Sequence, residues 1–234
     1  MKFTAHSFLN SSDGSGGKWK RLIPDNVIRL DWWGAAGDGI TDDKPAMDKA
    51  LAYYFRGNYE LALRNHFAAL KIRQQNGNKS YIAKSLNNIG VLYRSKKDYP
   101  NAINYYRQSL DIKNELHDEK GIINTLINIS SAYNSANKFD STYYYAHEAL
   151  LLAQKIHAEK DFYGSQVNMA VALVGLHKPE EAEALFYEIE KKALPRKDIS
   201  VLTTLYEGLG DIFFERKMYA AAQQYFSKGL ETAR

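Results

Sequence analysis

A repeat of forty residues constrains this chain more than any other feature. The stretch "SLNNIGVLYRSKKDYPNAINYYRQSLDI" (85–112) matches "TLINISSAYNSANKFDSTYYYAHEALLL" (125–152) in residue type, and the offset continues in both directions. A small residue recurs at Ala50, Gly90, Ser130, Ala170 and Gly210, with a large one three places on at Tyr53, Tyr93, Tyr133, Leu173 and Phe213. That spacing puts both on one face of a helix. A second column runs through Ala62, Ala102, Thr142, Ala182 and Ala222, four residues before His66, Tyr106, Ala146, Phe186 and Phe226. Between the columns stand turn-forming pieces such as "RGNY", "KKDY" and "ANKF". Each unit therefore reads as a helix, a short turn and a second helix. Small residues let two helices approach, and the large ones fill the space between a pair and its neighbour. No single pair can bury both of its faces, so about five pairs are expected to stack into one continuous core. The predicted fold class is all-α, a solenoid over residues 44–234 with repeats near 44–78, 79–118, 119–158, 159–198 and 199–234. A short irregular segment, 1–43, precedes it, and its Ser/Gly-rich first 24 residues are expected to be largely disordered.

The order of these features resembles the tetratricopeptide repeat (TPR) family: a small residue, an aromatic three on, then Ala with an aromatic four on. The resemblance covers residues 46–234. It departs from the family in its period, forty instead of thirty-four, and in lacking the usual proline after the second helix; the added residues would lengthen the helices between repeats. HEAT-like helix pairs have this period but not this pattern. The resemblance implies a right-handed superhelix whose first helices line a concave groove, and a protein-interaction module that binds a peptide or partner segment there. Long arrays of this look are familiar from bacterial regulatory proteins, including sensory regions. Asn88, Asn128 and Asn168 recur two residues before the small residue, where an asparagine ladder holds a peptide backbone in this family. The alternative is that they hydrogen-bond between neighbouring helices. The ladder stops at Asp48 and at Gly208. Further groove candidates one turn away are Lys84, Asn87, Arg94, Asn124, Ser131, Asn134, Glu207 and Asp211. Basic residues at one end and acidic ones at the other suggest a polarised groove.

The left end resembles something else. "VIRLDWWGAAGDGITDDKPAMDKAL" (27–51) is similar to the opening motif of pectate-lyase-like and tailspike β-helix proteins, with Gly37, Asp38, Gly39, Thr41, Asp42 and Asp43 as turn and helix cap. Those roles are structural, and nothing catalytic carries over. After residue 46 the chain has only helical periodicity, so the front of a carbohydrate-active or phage tail protein is the second reading, and a chimera or fragment is expected.

Composition bears on what remains. A formal charge of +4 comes from lysines and arginines scattered among acids, with no basic tract, so no nucleic-acid partner is expected. No stretch approaches a membrane span, and the absence of cysteine fits a reducing compartment, so the predicted location is cytoplasmic. The six histidines have no metal-ligand spacing, and "GSGG" (14–17) lacks the strand and the Gly-Lys-Ser/Thr of a phosphate loop. No enzyme activity, metal or cofactor is expected. Ile212, Phe213, Tyr225 and Leu230 are expected to form an uncovered apolar face on the fifth repeat, through which the chain self-associates.

Overall fold

The computed structural model describes residues 44–233. Among them ten helices follow one another: α1 (Lys44–Phe55), α2 (Tyr59–Gln75), α3 (Lys79–Ser95), α4 (Tyr99–Glu115), α5 (Glu119–Ser135), α6 (Phe139–Lys155), α7 (Glu159–Gly175), α8 (Pro179–Ala193), α9 (Ile199–Glu215) and α10 (Tyr219–Thr232). Segment 1–43, with its Ser/Gly-rich start and the β-helix-like turn at Gly37 to Asp43, lies outside the described residues. Within the described part, Lys44–Phe55 is simply the first helix of the first hairpin.

One turn, used nine times, sets the period. A residue with φ between 51° and 71° falls at every twentieth position: Gly57, Gly77, Lys97, His117, Asn137, His157, His177, Lys197 and Lys217. At the third turn Asp98 N–H donates to Tyr93 O (2.9 Å) and Lys97 N–H to Arg94 O (2.8 Å), the paired bonds that close a helix through a left-handed residue. Asp98 then caps the next helix, accepting from Asn101 N–H at 3.3 Å. One residue thus ends one helix and begins another. Asn58, Asn78, Asp118 and Asp198 cap in the same way. Most helices run seventeen residues, so a helix and its turn fill twenty positions and a hairpin fills forty. Among the helices between the first and the last, the exception is α8, which stops at Ala193 because Pro195 lacks the amide to continue it. That proline corrects the reading that no second helix is followed by one.

The two columns meet in the core. A Cβ added at Gly90 would lie 2.6 Å from the Tyr106 ring, and one at Gly210 would lie 2.4 Å from the Phe226 ring. Within a hairpin, the second helix seats its ring on the bare backbone of the first. One turn away, Tyr93 stacks on Tyr105 (5.3 Å), Tyr133 on Tyr145 (5.4 Å) and Phe213 on Tyr225 (5.3 Å), the same contact at offsets of forty and eighty. Both within and between hairpins, ion pairs stitch the turn edges at separations of 36 or 37 residues. They are Glu60 with Lys96, Lys79 with Glu115, Glu119 with Lys155, Glu159 with Arg196, and Glu180 with Arg216. Exposed pairs of this kind contribute about 0–1 kcal/mol each, so they fix register more than stability.

The fifth repeat corrects one expectation. Ile212 is fully buried, in a cluster with Phe186, Leu205 and Leu209, because it faces the preceding hairpin. Phe213 and Tyr225 cover one another. On α10 the uncovered apolar residue is Leu230, while Phe226 is half-buried on Gly210. Leu230 is 66% exposed, whereas Leu70, at the same register in α2, is 7% exposed.

Seven of the nine left-handed residues are not glycine, and an L side chain in that conformation costs roughly 1–2 kcal/mol. Ala158, which follows His157, makes no side-chain cap. The double change His157→Gly and Ala158→Asp should therefore stabilise the chain by about 1–2 kcal/mol. Thermal unfolding followed by circular dichroism checks this; an unchanged or lower midpoint would show that the turn carries no such strain.

Candidate binding groove

Curvature follows from which helices touch. Among the described residues α3 contacts α5, α5 contacts α7 and α7 contacts α9, while no two second helices make a comparable contact. Helices on the inside of a bend crowd together and those outside splay, so the first helices line the inner face.

That face carries a relay of polar side chains. Asn128 Nδ2 donates to Asn87 Oδ1 of the preceding first helix at 3.1 Å, and Asn168 Nδ2 donates to Ser131 Oγ at 3.4 Å. Asn87, Asn128, Ser131 and Asn168 are thereby brought together from α3 to α7, in the bonds between neighbouring helices that the alternative reading of Asn128 and Asn168 expects. Each bond commits one N–H of an amide that has two, together with an acceptor oxygen. Asn124 turns back to its own helix, donating to Lys120 O at 3.0 Å. Asn88 does not join the relay. It is 3% exposed, beneath the surface, and its Nδ2 is buried without a hydrogen-bond partner. The rung that α3 presents is Asn87.

The ladder ends at residue 208 for a steric reason. The Phe186 ring of the preceding hairpin would lie 2.4 Å from a Cβ there, so only glycine fits. At the other end Asp48 is exposed.

Charge is divided along the same face. Lys84 is half-buried on α3 with Nζ 5.3 Å from the Tyr81 ring centroid, and Arg94 is half-buried near the other end of that helix. Asn134 is half-buried on α5, while Glu207 and Asp211 are exposed on α9. Partial burial and neighbouring Glu215 raise the Asp211 carboxyl above its ordinary pKa. Sequence reasoning missed Val171 and Val174, half-buried on α7 at the register of Ser131 and Asn134. Apolar residues in a helical stripe read as core, and only their column, forty residues from two groove candidates, could have marked them.

Buried polar residues accompany this face, of which sequence reasoning missed Arg73 and Lys113. Arg73 is fully buried and its Nη1 donates to Ser85 Oγ (2.7 Å) and Tyr81 O (3.3 Å). Forty residues on, Lys113 Nζ donates to Thr125 Oγ1 at 2.7 Å, and burial pushes its pKa down to about 8. His66 is buried as well, its pKa pushed down to about 3 by burial and then by the Arg73 charge. Among the described residues no cluster of three or more His, Cys, Asp or Glu could hold a metal ion, and no helix is long and apolar enough to cross a membrane.

Comparison with known proteins agrees with this architecture. Residues 45–115 match the tetratricopeptide repeat family. No curated protein sequence matches the chain. In fold it is similar to BtubC (BKLC) from P. vanneervenii, with 16% identity over 78% of this chain and 76% of that one, and a TM-score of 0.65. It is also similar to the Rap conjugation gene regulator of plasmid pLS20, solved in complex with the Phr* peptide. There the identity is 18%, the TM-score 0.68, and the match covers 86% of this chain and 58% of the regulator. A putative kinesin light chain with TPR-like repeats from Podosopora anserina matches at 14% identity over 81% of this chain and 93% of that one, with a TM-score of 0.62. Residues 45–115 carry the family match, and the described residues as a whole have the fold of a TPR-like helical solenoid. The β-helix resemblance of residues 27–51 finds no support in these matches.

His66 gives the array an acid-sensitive joint. Its pKa is about 3 when folded and about 6.5 when unfolded, so between these values only the unfolded chain takes up the proton. Its contribution is therefore complete above pH ~6.5 and is lost as pH falls toward ~3, by up to roughly 1.4 kcal/mol per pH unit. Urea unfolding at pH 7 and pH 5 should show this loss, and His66→Phe, which copies the ring at positions 186 and 226, should reduce it. An equal loss in the variant would assign the acid sensitivity to other groups.

Proposed function

We propose that this chain is a non-catalytic protein-interaction module that holds an extended peptide, or an unstructured segment of a partner, against the inner faces of α3, α5 and α7, as the scaffold or sensory part of a regulatory protein. The observation that carries the reading is the relay from Asn87 to Asn128 and from Ser131 to Asn168. Bonds between neighbouring helices fix these side chains in place, and their remaining N–H and C=O groups match a peptide backbone whatever its side chains are. A fixed amide loses little entropy on binding. The peptide bound to the Rap regulator, a protein of similar fold, favours the same ligand class here.

Immobilised arrays of random nine-residue peptides should contain a bound subset for this chain. The triple change Asn87→Ala, Asn128→Ala and Asn168→Ala should weaken binding to that subset at least tenfold while leaving helix content unchanged. Equal binding by the variant would sink the reading.

Exposed Leu230 on α10 supports a second contact, with another copy of the chain. Sedimentation velocity should show a coefficient that rises with concentration and a loss of that rise in Leu230→Asp. A single monomeric species at every concentration would remove self-association from the account.

A further inference from the structure

Some charges on this molecule pair in register, and others, such as Arg64, Lys71 and Asp140 among the described residues, take part in no ion pair. At the turn edges, acids and bases neutralise one another in register, from Glu60 with Lys96 to Glu180 with Arg216. Among the described residues none of Lys84, Arg94, Asp211 and Glu215 takes part in an ion pair, although all four are wholly or partly exposed. The two cations sit on α3 and these two anions on α9, three first helices away, while exposed Asp48 lies on α1. Between them lie the amides of α5 and the apolar Val171 and Val174 of α7. These four have no ion-pair partner, although Lys84 lies over the Tyr81 ring.

We propose that the groove takes a bipolar peptide in one orientation, with acidic residues against Lys84 and Arg94, an apolar side chain over Val171 and Val174, and basic residues against Asp211 and Glu215. The inference rests on the groove reading above and adds the chemistry of the ligand. Neighbouring helix axes lie about 8–10 Å apart, so α3 to α9 spans roughly 25–30 Å. An extended chain advances about 3.3–3.6 Å per residue, so the acidic and basic ends of the ligand stand about eight residues apart. Partial burial and Glu215 already disfavour the charged form of Asp211, and an incoming cation relieves that repulsion. Complementary ends set orientation and association rate more than affinity, because each contact is partly solvated.

Four fluorescently labelled nine-residue peptides test the proposal at low ionic strength, where screening extends beyond about 10 Å. All have a central Leu flanked by Ser and Gly. One ends in two Asp and two Lys, one in Asp at both ends, one in Lys at both ends, and one is neutral. The bipolar peptide should bind at least tenfold more tightly than the other three, and Lys84→Glu with Arg94→Glu should bring it down to the level of the neutral one. A nitroxide on its Asp end should broaden amide signals of α3. In a protein also carrying Asp211→Lys and Glu215→Lys the same tag should broaden α9 instead. Neutral and bipolar peptides binding alike, with the Asn-to-Ala changes still weakening both, would overturn the charge proposal and leave the groove reading standing. Binding of none of the four would overturn both.

Discussion

Seating a ring of one helix on the bare backbone of its partner is the contact on which the rest of this solenoid depends. Where Tyr106 meets Gly90 and Phe226 meets Gly210, there is no space for even a methyl group, so these residues set the separation of helices within a hairpin. Overpacking such a contact costs about 1–3 kcal/mol, enough to matter in an array whose stability is summed over neighbouring units. Close hairpins stack with their first helices inward, and the inward crowding brings Asn128 within hydrogen-bond distance of Asn87. The same contact also limits the site: where Phe186 reaches across to the next hairpin, residue 208 can only be glycine and the row of amides ends. Packing and binding surface are thus set by one volume constraint.

Much of this was legible in the sequence, because helix pairing leaves columns of residue size. The forty-residue offset predicts helix–turn–helix units, and the pieces "RGNY", "KKDY" and "ANKF" fall at turns. The twenty-residue rhythm within it was hidden, since only Gly57 and Gly77 announce a left-handed turn and the other seven positions carry Lys, His or Asn. The site was less legible. Asn87 and Asn88 are adjacent and differ by about 100° of helix rotation, which a column of letters does not resolve. Asn88 therefore proved buried and Asn87 presented. Ile212 misled for the same reason, being apolar on a terminal repeat yet turned toward the hairpin before it. Lys113 and Arg73, whose charge would place them outside, are held inside by hydroxyl and carbonyl partners that no local pattern advertises.

Electrostatics distinguishes the turn edges from the inner face. Paired edge charges lie next to the turns, where each helix start adjoins the end of the following helix, and they add register at little net energy. The inner face combines fixed amides, a short apolar stretch on α7 and unpaired charge at its two ends. A surface with that sequence of chemistries is suited to an extended chain and poorly suited to a compact small molecule, which needs convergent groups and an enclosed pocket.

The account's central claim is that ligand engages the first helices and not the second. Amide hydrogen exchange, measured residue by residue with and without a bound nine-residue peptide, tests it most directly. The account predicts slowed exchange in α3, α5, α7 and α9 and unchanged exchange in α4, α6 and α8. Protection confined to the second helices, or to the turn edges, would contradict it.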